Sequence, residues 1–215
     1  MSLNKTYAVF GLGRYGSAVA GELIRSGAEV IAVDVDEDIV NSAATSIPFC
    51  KCADVTDAEV IDRLGISNVD VVIVSMASNL EASVMAITLC KEAGVPTVIA
   101  KSSGEIHKKI LLKVGADKVV IPEHESGLRL AKNLVSSGFV DIIDLSQNVS
   151  MVEIDVKPDW QGKSLLDLNL RKKYGLNIVA IQQNGDVSID IDPAKPLTKD
   201  MKLIVVGKTQ GLKKL

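Results

Sequence analysis

The sequence predicts an α/β chain: a Rossmann-like open parallel sheet of six strands, followed by a smaller C-terminal α+β domain. Three observations carry this. Six short apolar runs before Gly138 are each followed by a segment of helical periodicity. The runs are almost wholly apolar, as expected of strands that helices cover on both faces. Beyond Gly138 helical periodicity thins out, and strands of alternating character take over.

The first run, Tyr7 to Phe10, passes directly into Gly11-Leu12-Gly13-Arg14-Tyr15-Gly16. Val19, Ala20, Leu23 and Ile24 then recur at helical steps, and Val30 to Val33 forms a second run closed by Asp34. This strand, glycine turn, helix, strand and acid order is the fingerprint of a nucleotide-binding unit. Gly11 makes the tight turn, Gly13 lets backbone approach a diphosphate, and Gly16 lets the helix sit close to the sheet. Unpaired N–H groups at the helix start face the phosphates. Asp34 lies 18 residues after Gly16, where a carboxylate accepts the hydroxyls of an adenosine ribose. Tyr15, in the same turn, is counted with the nucleotide contacts.

Asp36 precedes a short helix through Ile39, Val40 and Ala43, and either reaches the sugar or caps that helix. Phe49 to Ala53 is the third strand, ending at Asp54, where ligands of open α/β sheets bind. Thr56 with Glu59 reads as the capping box of the next helix. Asp70 to Val74 is the fourth strand, and Ser75 and Asn79 follow it as either ligand contacts or caps of the helix from Leu80 to Glu92. Thr97 to Ala100 ends at Lys101, an ammonium placed to meet a diphosphate. Lys118 to Ile121 completes the sheet, followed by Pro122-Glu123-His124-Glu125 and a helix through Leu128, Ala131 and Leu134.

The boundary is drawn so that residues 4–136 form the nucleotide-binding domain and 139–215 the second. In the latter, strands are expected at Val140 to Leu145, Met151 to Val156, Asn177 to Gln182, Val187 to Ile191 and Lys202 to Val206. Asn184-Gly185 marks a hairpin, and Leu165 to Lys172, with Ser164 as its cap, a helix.

The net charge of −3 and 3% aromatic content give no basic stripe or stacking platform, so nucleic acid is not an expected partner. No run is long enough to cross a bilayer and no secretory signal opens the chain, so it is expected in the cytoplasm. Cys50, Cys52 and Cys90 read as reduced buried thiols rather than disulfide partners or metal ligands. A small NAD(P)-dependent oxidoreductase is the enzymatic alternative, but the second domain has neither histidine nor cysteine, and His124 is the one weak candidate base. Arg14 favours an adenine nucleotide with exposed phosphates, because a guanidinium presents a planar fork of donors to them. The chain is expected to be no enzyme. A binding module regulating some other partner is a third possibility.

The glycine turn, Asp34, the Gly115-Ala116-Asp117 to Pro122-Glu123 segment, and Asp167-Leu168-Asn169-Leu170-Arg171 with Tyr174-Gly175 together resemble the RCK (KTN) regulatory subunits of Trk/Ktr potassium-uptake systems. The resemblance runs from about Lys5 to the end, with Met1-Ser2-Leu3 reading as an added leader. It implies TrkA-N and TrkA-C domains, dimers assembled into an octameric ring, and a membrane-embedded potassium-translocating partner. It implies ATP/ADP or NAD(H) as regulatory ligand. Arg14 would then contact phosphates, Asp34 and Asp36 the ribose, Asp54 the adenine side, and Lys101 the phosphates. Glu123 would meet the γ-phosphate region of a neighbour's nucleotide, through Mg or Ca in some members. Asn169, Arg171, Ile178 and Ile191 would lie near a cyclic di-AMP site.

Overall fold

The computed structural model describes residues 5–135, 139–146 and 148–212. The chain divides into two compact units, one ending at Glu123 and the other beginning at His124.

In the first unit, β1 (Thr6–Phe10), β2 (Glu29–Asp34), β3 (Cys50–Cys52), β4 (Val71–Val74), β5 (Thr97–Lys101) and β6 (Lys118–Val120) form one sheet. Its order is β3-β2-β1-β4-β5-β6, every pairing being parallel. The order reverses direction at β1, so β2 and β4 flank it and a crevice opens beyond their carboxyl ends. Period-two alternation sends Ala8 and Phe10 to one face and Val9 to the other. Both faces are apolar because helices cover both: α1 (Arg14–Arg25), α2 (Glu37–Ala43), α3 (Ala58–Arg63), α4 (Leu80–Glu92) and α5 (Glu105–Val114) connect the strands. The unbroken apolar sequence of β4, buried at all four positions, follows from that.

Two departures concern caps and thiols. The start of α3 is capped by Asp57, whose carboxylate accepts from the Glu59 N–H, and not by Thr56, whose hydroxyl donates to Asp54. Only Cys90 is buried; Cys50 is half-buried and Cys52 exposed, because β3 is a short edge strand with one flank open. Burial in α4 pushes the Cys90 thiol up to about 12, so it stays protonated.

Asp117, at the entry to β6, accepts from the Val98 N–H at 2.6 Å and from Lys91 Nζ at 3.1 Å. The Val98 bond, then the lysine, hold its carboxyl below the ordinary carboxylate range. A depressed folded-state pKa contributes stability above the unfolded value and loses it as pH falls through the folded one. Acid unfolding of Asp117→Asn is therefore expected to show a shallower loss of stability below about pH 4 than the parent, in denaturant titrations at successive pH values.

In the second unit, β7 (Phe139–Asp144), β8 (Val149–Asp155), β9 (Leu176–Gln183), β10 (Asp186–Ser188) and β11 (Met201–Lys208) form an antiparallel sheet in the order β10-β9-β11-β8-β7. Alternate β11 residues Met201, Leu203, Val205 and Gly207 are buried, so one face packs on the core. Asn184 (φ 53°) and Gly185 (φ 90°) turn β9 into β10 as a two-residue hairpin whose twist suits the strands. The expected Leu165 to Lys172 helix is two pieces, α7 (Leu165–Leu168) and α8 (Leu170–Tyr174), because Asn169 takes a left-handed φ of 46° between them. Ser164 does cap α7, in a reciprocal box with Asp167. Trp160, in a turn at Pro158–Trp160, is 5% exposed, and Lys157 Nζ stands 5.5 Å from its ring centre. A last turn, α9 (Thr209–Leu212), seals this core with Leu212. In chain order, α6 (Pro122–Val135) follows β6 and precedes β7.

Candidate functional site

The crevice at the carboxyl ends of β1, β2 and β4 holds a cavity of about 550 Å³. Gly11, Gly13, Asp34, Asp54 and Ser75 line it. A second cavity of about 730 Å³ is lined by Gly13, Arg14, Tyr15, Ser75, Lys101 and Glu123. Gly13, Ser75 and Ser78 border both, so the two are neighbours along one surface.

The turn between β1 and α1 has distinct demands at each glycine. Gly11 sits at φ +88°, where a side chain is strained. A Cβ on Gly16 would run into the Gly11 carbonyl oxygen and stand 2.6 Å from Ser75 Oγ. A Cβ on Gly13 would meet nothing within 4 Å, so that position is open toward the cavities. Ser75 Oγ donates to the Gly11 carbonyl at 2.6 Å, tying the end of β4 to the turn. That bond, and not a helix cap, is what its hydroxyl does; Asn79 is the residue that caps α4, accepting from the Ala82 N–H at 3.0 Å.

Asp34, half-buried at the end of β2, accepts from the Leu12 N–H at 2.6 Å and from the Asp36 N–H at 3.0 Å. One carboxylate thus holds the glycine turn against the neighbouring loop while lining the first cavity. Asp54 accepts from the Thr56 N–H and hydroxyl on a single oxygen, at 2.9 and 2.7 Å. The hydroxyl bond, then the amide, hold its carboxyl below the ordinary range, so it is ionised at neutral pH. Asp36 does not line this cavity: its carboxylate accepts from the Asp38 and Ile39 N–H groups at 2.9 and 3.2 Å, capping α2, and it borders a separate cavity of about 510 Å³ with Leu12 and Ser17.

Arg14 is exposed at the first position of α1. Lys101, at the end of β5, pairs with Glu123 at 2.7 Å, and its ammonium lies 5.7 Å from the centre of the Tyr15 ring. The lysine side chain is 18% exposed and the glutamate 68%. The hydrogen bond from Lys101 holds the Glu123 carboxyl below its usual range. Among the described residues no cluster of three or more His, Cys, Asp or Glu exists that could hold a metal ion without further ligands.

Reading the sequence missed Thr56, Met76, Ser78, Glu81 and Met85 on the cavity wall. Thr56, Met76 and Ser78 lie within three residues of Asp54 or Ser75, whereas Glu81 and Met85 lie in the first two turns of α4. In the second unit, Ile191 lines a cavity of about 450 Å³ with Asp186, Asp190 and Lys195, whereas Asn169, Arg171 and Ile178 do not border it. Asn169 is instead the left-handed link between α7 and α8, Arg171 is exposed on α8, and Ile178 packs against the core. His124 is exposed. No helix among the described residues is long and apolar enough to cross a membrane.

Residues 7–122 match the TrkA-N domain and residues 149–215 the TrkA-C domain. The chain is 40% identical over 205 residues to the Ktr system potassium uptake protein C of Bacillus subtilis (strain 168), covering 95% of this chain and 93% of that protein. It is 36% identical over 211 residues to the Ktr system potassium uptake protein A of the same organism, covering 98% and 95%. Among solved structures, the GsuK RCK domain (TM-score 0.68) and a GsuK channel bound to NAD (0.69) each match 97% of this chain at 18% identity. At that identity the likeness is one of fold, and the chain spans 46% and 38% of those two chains.

Proposed function

The chain belongs to the TrkA-N/TrkA-C family, the RCK (KTN) regulatory subunits of Trk/Ktr potassium-uptake systems, and on that premise we propose that it senses an adenine nucleotide and gates a membrane-embedded potassium-translocating partner from the cytoplasmic side. Its family role is regulatory and not catalytic.

The observation that carries the ligand is the pairing of the two cavities across Gly13: acids on one side, Arg14 and Lys101 on the other. Adenosine sits between Asp34 and Asp54, with the ribose hydroxyls on Asp34. The phosphates cross the open backbone at Gly13 and the start of α1, where N–H groups and the helix dipole favour anions. Their far end meets Arg14 and Lys101. ATP and ADP present charge there, so they are the ligands this arrangement suits best.

Regulation follows from differential affinity: a nucleotide biases the assembled subunit only by the difference in its affinity for two shapes. Assembly with further copies is supported by Leu130 and Leu134, one turn apart on the same face of α6 and 60 and 76% exposed, an apolar pair that a second copy would cover.

Calorimetric titration of the full chain with ATP, ADP, AMP, NAD and NADH tests the reading. ATP and ADP are expected to bind more tightly than AMP, and Asp34→Ala to weaken all of them. Tight NADH with negligible ATP would replace it by dinucleotide sensing, and no binding of any would remove the site.

A further inference from the structure

Asn184 and Gly185 form the chain's one Asn-Gly pair, and they make the turn into the edge strand of the second sheet. That strand, β10, is exposed at all three residues and pairs with β9 alone; Val187 is 55% exposed and Ile189, just beyond it, 83%. It buries no apolar side chain, so opening the hairpin costs little. Residues on either side of the turn are tied: Gln183 Nε2 donates to Asp200 at 2.7 Å, and Ser188 Oγ to the Asp190 carbonyl at 3.0 Å. The Asn184 side-chain amide has no hydrogen bond among the described residues, and a Cβ on Gly185 would meet nothing within 4 Å. The turn is thus uncrowded and its amide unheld.

We propose that Asn184 is a self-modification site, converted to aspartate and isoaspartate by condensation with the amide that follows it, and that the isoaspartate form unpairs β10. The Gly185 amide nitrogen bonds to the Asn184 side-chain carbonyl carbon, and the bond from that carbon to the side-chain nitrogen breaks. Ammonia leaves, carrying the Gly185 amide proton, and a cyclic imide remains. Water then opens the ring at either carbonyl. Opening at the side-chain carbonyl yields aspartate; opening at the main-chain carbonyl yields isoaspartate, whose main chain runs through the former side-chain carbon. Water is the only co-reactant, and glycine presents no side chain to block the attack. In the closed turn both residues are held left-handed, at φ 53° and 90°, so the reaction proceeds from the opened hairpin and its rate follows that opening.

The two products differ in consequence. Asp-Gly suits the same two-residue turn, so aspartate leaves the pairs Gln183–Asp186, Gln182–Val187 and Ile181–Ser188 in place. Isoaspartate lengthens the main chain by one carbon, so the loop no longer matches that register and β10 comes away. Asn184, Asp186 and Ser188 line the cavity of about 450 Å³ together with Leu197 and Met201, which are 1 and 3% exposed. Loss of β10 opens that cavity to solvent, and the change needs no nucleotide.

Incubation of the full chain in warm, mildly alkaline buffer, followed by intact-mass and fragmentation analysis, tests this. A gain of one mass unit is expected at Asn184, at a rate within about tenfold of that in the denaturant-unfolded chain. Asn41, whose neighbour Ser42 lies inside α2, is the internal control and is expected to stay unmodified over the same period. Labelling by an isoaspartyl carboxyl methyltransferase should rise in step with the mass change. Hydrogen exchange should then show protection lost between β9 and β10 in the isoaspartate fraction and kept in Asn184→Asp, which carries the aspartate product from the start. No gain at Asn184, or a gain slower than the stated bound, would overturn the site. Isoaspartate with the β9–β10 protection intact would overturn the unpairing of the strand.

Discussion

Arg14→Ala is expected to weaken ATP binding roughly 10- to 100-fold, with AMP affected by no more than about twofold. The guanidinium borders the second cavity at the first position of α1, and no ion pair with it is formed among the described residues. It therefore loses no protein partner when it turns to a phosphate. A charge-assisted hydrogen bond of this kind is worth about 1.5–3 kcal/mol, which is the fold-change stated. Arg14→Lys keeps the charge and loses the planar fork, so it should fall between the two. Titration calorimetry reads all three. Losses equal for ATP and AMP would place Arg14's effect on the turn and not on the phosphates. An unchanged ATP affinity would take Arg14 out of the site.

Gly16→Ala should destabilise the first unit by about 1–3 kcal/mol or more, a fall in melting midpoint of roughly 3–10 °C. The added methyl group would collide with the Gly11 carbonyl, which is backbone and also the acceptor of the Ser75 hydroxyl. Neither neighbour can move without opening the β1 turn. Gly13→Ala is the matched control: its backbone is extended at φ −62°, and nothing lies within 4 Å of the new atom. Its stability should stay within about 0.5 kcal/mol of the parent, while nucleotide affinity falls because the methyl enters the path between the cavities. A Gly16→Ala protein as stable as the parent would refute the close packing of α1 on the sheet.

Much of this was legible because it is local. Apolar runs bounded by glycine and acids place β1, β2, β4 and β5, and the spacing of Asp34 from the glycine turn places it at a strand end. The Asn184-Gly185 hairpin and the Ser164 cap were equally plain. Choices between a ligand contact and a cap were not: Asp36 and Asn79 cap helices and Ser75 braces the turn, yet Asn79 and Ser75 also line the first cavity, and one polar side chain serves any of these roles. The α3 cap fell on Asp57, one residue beyond Thr56, because Asp54 captured the threonine hydroxyl first. Least legible was the pairing of Lys101 with Glu123. The two lie 22 residues apart, and only the adjacency of β5 and β6 brings them together. The break at Asn169 was also hidden, since a left-handed asparagine inside a helical pattern leaves no periodic trace.

Trp160 is the sequence's single tryptophan, and it lies buried in the core of the second unit. Its emission, excited selectively beyond the tyrosine band, is therefore a built-in optical reporter of one half of the chain. Circular dichroism is weighted instead toward the helix-rich half around the first sheet. Denaturation curves recorded by the two signals will superimpose if the halves melt as one cooperative body and diverge if they do not. Adding nucleotide shifts the curve of whichever half it stabilises, so one cuvette and two wavelengths can tell whether ligand energy stays in the half that binds it or is passed to the other.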